Sequence, residues 1–255
     1  MYSTVNFTLL VIAFAGVISI GHALPPQTGE RILGGADAAS GQFTFVASLR
    51  LDGAHVCGGS IIGIKQILTA AHCVVDDNNK VIDADRISVR VGSVNQFAGG
   101  KIVYAETIAV HPSYQYIQND VAVVTLRTEL EVGSKVSIIA LATTAAEEPA
   151  VGAEVTVAGW GEQSSGATPY KLQSVGFTVA SEEDCTNGYA GNDESTFCLA
   201  HKLKEGSCLG DAGNGVAYNN RLVGVASFVV GACGSRYPEV FVSITHFASW
   251  IQSQL

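Results

Sequence analysis

The feature that most constrains the fold is a series of short segments in which apolar and polar residues alternate. Phe43, Phe45, Ala47, Leu49 and Leu51 share one face of such a segment, and Ile87, Val89 and Val91 alternate with Arg86, Ser88 and Arg90. Similar patterns cover 101–110, 153–158, 172–180 and 221–230. A side-chain period of two puts every second residue on the buried face of a pleated strand. Val121 to Leu126 is an apolar run, the signature of a strand buried on both faces. The dipeptides Asp52-Gly53, Gly99-Gly100, Ser165-Gly166 and Asn219-Asn220 supply turns between segments. Many short strands so punctuated predict an all-β sandwich or barrel. Residues 132–152 lose the pattern and read as a linker between two β halves. At the C-terminus Phe247, Trp250, Ile251 and Leu255 recur at helical spacing, which predicts an amphipathic helix docked by that face.

The chain has 255 residues, 47% hydrophobic and 15% charged, enough to bury a large core and too apolar for disorder. A formal net charge of −9 disfavours a nucleic-acid binder, because an acidic protein repels phosphate. Phe7 to Ile20 is uncharged and apolar, and Gly21 and Ala23 follow at the spacing that suits leader cleavage after Ala23. The run is shorter than the roughly 20 residues of a membrane-spanning helix, and Pro25 and Pro26 follow it. Residues 1–23 therefore read as a signal peptide, although no Lys or Arg precedes the run. The mature chain is expected to be soluble and secreted, with no membrane attachment.

Six cysteines, at 57, 73, 185, 198, 208 and 233, fit an oxidising compartment and three disulfides. Spacing alone leaves all fifteen pairings open. A zinc site is the weaker reading, since no Cys-x-x-Cys or His-x-x-x-His pair is present.

Three islands carry the chemistry: Thr69-Ala70-Ala71-His72-Cys73, Asn119-Asp120-Val121-Ala122, and Gly210-Asp211-Ala212-Gly213-Asn214-Gly215. Their order resembles that of the chymotrypsin/trypsin family of serine proteases. Arg31-Ile32-Leu33-Gly34-Gly35, Cys57-Gly58-Gly59-Ser60, Ala158-Gly159-Trp160-Gly161 and Trp250-Ile251 add to the resemblance, which runs from Ile32 to Leu255. It implies two six-stranded antiparallel β-barrels with a C-terminal helix and the site in the cleft between them. The implied divisions are a short propeptide at 24–31 and a trypsin-like domain at 32–255. Within that domain, an N-terminal barrel spans about 32–131, a linker about 132–152, a second barrel about 153–242 and a helix about 244–255. It also implies the disulfides Cys57–Cys73, Cys185–Cys198 and Cys208–Cys233.

Acyl transfer from an amide needs a nucleophilic hydroxyl, an imidazole to take its proton and a carboxylate to orient the imidazole. By resemblance His72 is the base and Asp120 the orienting carboxylate. The nucleophile position is Ala212, whose methyl has no lone pair with which to attack. The N–H groups of Gly210 and Ala212 remain as donors to a carbonyl oxygen. Asn214 and Gly215 also depart from the family's usual turn. Ser207 and Ser227 are poor substitutes: Ser207 matches the wall of the specificity pocket, and Ser227 matches a residue that bonds the orienting carboxylate.

The rest of the pocket is altered as well. Gly206 stands at the base where trypsin-like enzymes carry Asp. Val229 stands at the neck where Gly is usual, Phe228 replaces the usual Trp, and Glu239 replaces a common Gly. The Glu239 carboxylate either narrows and acidifies the pocket or turns to solvent. Arg31-Ile32 resembles an activation bond whose freed Ile32 amino group pairs with Asp211, and His55 matches a histidine that partners that Asp beforehand.

On these residues the expectation is a secreted protease homologue that is not an enzyme, resembling the single-domain homologues of arthropods. It would act by protein binding as a regulator, cofactor or decoy in extracellular cascades such as innate immunity. The alternative is an active serine-type endopeptidase with an atypical nucleophile. A glycan-binding module has no residue signature here. The expected partners are extracellular proteins such as active proteases, their substrates or inhibitors, with the chain a monomer. No cofactor and no metal are expected: residues 86–105 offer no carboxylate for calcium. His111, His201 and His246 read as isolated surface or turn residues.

Overall fold

A computed structural model describes residues 34–163 and 166–255. The segments read as signal peptide and propeptide, with Arg31, Ile32 and Ser165, lie outside the described residues. After a short strand β1 (Ala36–Asp37), the first barrel is built from β2 (Val46–Leu51), β3 (Ala54–Ile61), β4 (Gln66–Thr69), β5 (Ile87–Val91), β6 (Lys101–Val110) and β7 (Ala122–Leu126). These six close in the order β2-β3-β4-β7-β6-β5, every neighbour antiparallel. The alternating segments and the apolar run supply most of its interior: Ala47, Leu49, Ile87, Val89, Val124 and Leu126 are buried in one cluster, joined by Ile67 of β4.

The second half contains β8 (Ala140–Leu141), β9 (Glu154–Gly159), β10 (Gln173–Val179), α1 (Glu182–Gly188), β11 (Thr196–Ala200), β12 (Gly215–Tyr218), β13 (Arg221–Phe228), β14 (Glu239–Ser243) and α2 (Ile244–Gln252). Six of these strands close antiparallel in the order β9-β10-β11-β14-β13-β12 and back to β9. β1 joins this sheet through β10, and β8 lies parallel to β13. Both barrels of the expected fold are therefore present. Val155, Val157, Phe177, Leu199, Val223 and Phe241 fill the second.

Turn chemistry sets the registers. Asp52 and Gly53 have φ of 50° and 84° and close β2 onto β3, while Asn219 and Asn220, at 47° and 60°, close β12 onto β13. Two successive positive φ values match the right-handed twist of the strands they join. The C-terminal helix buries Ile244, Phe247, Ala248 and Ile251, with Trp250 packed beside them. Leu255 corrects the predicted face: it lies past the helix end and is exposed. α1 was not legible from apolar periodicity, because only Cys185 of its seven residues is buried. Its signal is polar: the Ser181 hydroxyl accepts the Asp184 N–H, and Glu182, Glu183 and Asp184 occupy the first turn.

Cys57 bonds to Cys73, Cys185 to Cys198 and Cys208 to Cys233. The first bond ties β3 to the turn carrying His72. The third ties the Gly210–Ala212 turn to the segment between β13 and β14. Bridges of this kind stabilise by about 2–4 kcal/mol each.

Candidate active site

The floor of the site is a tight turn, Gly210-Asp211-Ala212-Gly213, that enters β12. Gly213 sits at φ +83°, where a Cβ would overlap the Thr69 hydroxyl and the Gly58 carbonyl. The Gly58 N–H donates to the Ala212 carbonyl at 2.7 Å, and the Thr69 hydroxyl donates to the Gly58 carbonyl at 2.8 Å. The first barrel is thus stitched directly to the turn of the second. Among the described residues no acceptor takes the N–H of Gly210 or Ala212.

His72 stands on a 3₁₀ turn, Ala71–Val74, that follows β4. Asp120 is fully buried just before β7. Asn119, at φ 53°, turns the chain so that Asp120 faces inward, a conformation Asn tolerates well. One Asp120 oxygen accepts the His72 backbone N–H at 2.9 Å, and the other lies 2.7 Å from His72 Nδ1. The Ser227 hydroxyl donates to that second oxygen at 2.5 Å. This network fixes the tautomer: Nδ1 carries the hydrogen, and Nε2 is left to accept. Burial works against protonation of His72, but the Asp120 hydrogen bond and charge outweigh it and raise the pKa above the ordinary 6.5. His72, Ala212, Ser227, Phe228, Val229 and Glu239 line one cavity of about 470 Å³ between the barrels.

Asp211 is buried beneath the turn. It accepts the Gly161 N–H at 2.8 Å, the Cys208 N–H at 3.0 Å and the Asn214 amide at 3.3 Å. Burial pushes its pKa up to about 6, the two backbone bonds opposing. Among the described residues no basic side chain pairs with it. Asn214, a departure from the family turn, is therefore an anchor for this carboxylate. His55 makes both of its ring hydrogen bonds to groups other than Asp211. Its Nε2–H donates to the Gly210 carbonyl at 3.1 Å, and its Nδ1 lies 2.8 Å from the Ser48 hydroxyl. Burial holds the His55 pKa down at about 4, so the ring stays neutral in this role.

Glu239 opens β14 and points inward; it is 2% exposed. It accepts the Ser207 N–H at 2.8 Å and lies 3.3 Å from His201 Nε2. The solvent-facing alternative for Glu239 is thereby removed. His201 corrects the sequence reading outright: its side chain is 1% exposed, not on the surface. No motif announced it, since it lies outside the three islands and meets Glu239 only through the β11–β14 pairing. His111 is also no free surface residue, since its ring packs edge-on against Phe247 and Trp250 at 5.0 Å each. Phe228 packs against Tyr189 at 5.0 Å. Cys57, His72 and Cys73 cluster closely, but both sulfurs are spent in one disulfide and offer no thiolate to a metal.

Chemically, the site assembles an imidazole with a free Nε2, a carboxylate on its Nδ1, a hydroxyl on that carboxylate and a pair of unclaimed N–H donors. A methyl stands where an attacking hydroxyl would be.

The comparisons agree with this geometry. The Trypsin family pattern matches residues 32–251. Trypsin alpha of Drosophila melanogaster is 34% identical over 256 aligned residues, covering 96% of this chain and 97% of that protein. Trypsin alpha-4 of Lucilia cuprina is 33% identical, covering 97% of each chain. Serine protease SP24D of Anopheles gambiae is 36% identical over 228 aligned residues, covering 89% of this chain and 82% of that protein. These findings overturn the expectation that the chain is not an enzyme: the relatives bear the names of trypsins and a serine protease, and nothing in them points to inactivation. The physical reason lies in the weight given to one side chain. Ala212 lacks an oxygen, but the His72 imidazole, the Asp120 and Ser227 groups that hold it and the unclaimed N–H groups beside it are all in place. The chain belongs to the trypsin family of serine proteases.

Proposed function

We propose that this protein is a secreted endopeptidase of the trypsin kind that works without an acyl-enzyme. A polypeptide lies across the cleft with one carbonyl oxygen on the Gly210 and Ala212 N–H groups. His72 Nε2 takes a proton from water as the water oxygen bonds to the carbonyl carbon. The same proton passes to the amine as the C–N bond breaks. The observation that carries this reading is the Ser227–Asp120–His72 network set beside two free N–H donors, with only a methyl at 212.

The rate is bounded by comparison. In another serine protease, removing the nucleophile costs about 10⁶ in kcat. A residual of roughly 10³–10⁴ over water survives from the carbonyl donors and binding. Turnover is therefore slow. The Ala212 methyl also favours a second use of the same cleft: holding a protein partner as a cofactor or decoy in an extracellular cascade. The apolar leader and three disulfides support secretion. Cleavage after Arg31 would free an amino group at Ile32 to pair with Asp211, whose buried carboxylate gains a counter-charge.

The test is peptide hydrolysis by the purified chain beside its His72→Ala variant, with a fluorophosphonate probe in parallel. Slow cleavage that His72→Ala abolishes, with no probe attached, is the expected result. Cleavage no faster than the variant's background would overturn the hydrolytic reading. Labelling of the unaltered chain would instead put a serine hydroxyl at the point of attack.

A further inference from the structure

The floor of the specificity pocket is occupied by Glu239, with a second titratable side chain, His201, behind it. Glu239, at the start of β14, reaches into the space that a side chain on residue 206 would fill. A Cβ on Gly206 would overlap Glu239 Oε1 and press within 3.1 Å of the His201 ring. The acid thus comes from the opposite wall and brings His201 behind it, with side-chain exposures of 3% for Glu239 and 1% for His201.

The hydrogens can be assigned from the partners. His201 Nδ1 lies 2.9 Å from the Lys202 carbonyl, which can only accept, so Nδ1 carries a hydrogen. His201 Nε2 then faces Glu239 Oε1 at 3.3 Å, away from water. Two bare lone pairs held together there would repel and lose their hydration. One proton therefore belongs to the pair, either as a carboxylic acid beside a neutral ring or as a carboxylate beside an imidazolium. Either way the floor is neutral in sum.

The surroundings reinforce this. Burial pushes the Glu239 pKa up to about 8, the Ser207 hydroxyl and N–H opposing and the nearby Asp211 charge adding to it. From β10, Phe177 presents only a ring edge to His201, at 5.8 Å. Lys202 and Glu205, in the same segment as His201, pair with each other at 4.0 Å. The Ser207 hydroxyl is buried beside the Glu239 carboxylate and belongs to a residue lining the cavity.

We propose that Glu239 and His201 act as one proton-holding dyad that sets which side chain the cleft accepts. While the proton is held, the pocket takes a small or uncharged hydrogen-bonding side chain. A lysine or arginine side chain enters only as that proton leaves to solvent, so that its cation meets a carboxylate instead of a neutral pair. Glu239 is the specificity-determining residue, and His201 is a positioning residue acting through it. The proposal rests on the reading of the cleft as a polypeptide-binding site.

Calorimetric titration of the purified full chain tests it with two probes of equal shape, cationic benzamidine and neutral benzamide. Titrations run between about pH 6 and about pH 9, a span that brackets the raised pKa of Glu239. Buffers of different ionisation enthalpy report proton release. The expected result is a benzamide affinity that stays flat while benzamidine binds about tenfold tighter or more at the upper pH, a free-energy difference that one linked proton readily supplies. Near neutral pH, benzamidine binding should release a proton. Glu239→Gln should abolish both the pH dependence and the release while benzamide still binds. His201→Gln, which cannot hold the proton, should move the tightening to lower pH. Benzamidine binding that is flat with pH and releases no proton would overturn the dyad, as would a pocket that takes neither probe at any pH. Cleavage is read separately: a chain that binds as expected but cuts nothing loses the hydrolytic reading and keeps the dyad, and the reverse pattern loses the dyad alone.

Discussion

At the scale of single residues, protons decide what the cleft can do. His72 must be neutral to take a proton from water, and its pKa is raised by Asp120 against the pull of burial. Hydrolysis is therefore predicted to rise with pH along a limb whose midpoint lies above the ordinary 6.5 of histidine. Asp120→Asn should move that midpoint down and lower the plateau, as a pH–rate profile would record. Gly206 makes a second residue-scale prediction. Its φ of +124° and its closeness to Glu239 leave no room for a side chain. Gly206→Ala should destabilise by about 1–3 kcal/mol, the cost typical of overpacking, measured by urea unfolding. The His72, Asp120 and Ala212 positions were legible because each sits in a motif with fixed neighbours. Glu239 was legible as a departure, but its inward direction was not. His201 was invisible, because a lone histidine carries no motif and its burial depends on a strand far away in sequence.

At the scale of elements, turns were read most securely and polar helices least. Asp52-Gly53 and Asn219-Asn220 show in the sequence because the left-handed backbone selects their residue types, and both close hairpins here. The prediction that follows concerns the β12–β13 hairpin, whose far end delivers Ser227. Asn220→Val should destabilise by about 1–3 kcal/mol, since a β-branched residue resists positive φ, whereas Asn220→Gly should be neutral or mildly stabilising. Thermal unfolding of the two variants checks the contrast. α1 escaped the period-based reading because it is solvated on nearly every side, held by its Ser181 cap and by Cys185. The C-terminal helix was read correctly in kind, but its inner face ends at Ile251 rather than Leu255.

At the scale of the whole molecule, two barrels converge on one turn, and their join makes stability depend on pH. Burial raises the Glu239 pKa from the ordinary 4.5 to about 8. The folded chain therefore holds that proton more tightly than the unfolded chain. The linked stability is full below about pH 4.5 and is lost as pH rises towards about 8. His55, held down at about 4, acts in the opposite sense: its contribution is present above 6.5 and is lost as pH falls. Chemical unfolding across this range should show the alkaline loss, and Glu239→Gln should reduce it, leaving the share that the raised pKa values of Asp211 and His72 contribute in the same sense. The barrel architecture was legible because alternation repeats along the chain, whereas the cleft between the barrels is made by long-range contacts such as Gly58 to Ala212.

The central claim is that the cleft holds a proton-accepting imidazole, its orienting groups and carbonyl donors, and lacks only the attacking hydroxyl that would make peptide cleavage fast. Introducing it by Ala212→Ser and following fluorophosphonate labelling together with peptide hydrolysis tests this most directly. The account predicts prompt labelling at residue 212 and a rise in hydrolysis of up to about 10⁶ over the unaltered chain. A folded variant that takes no label and cleaves no faster would contradict it.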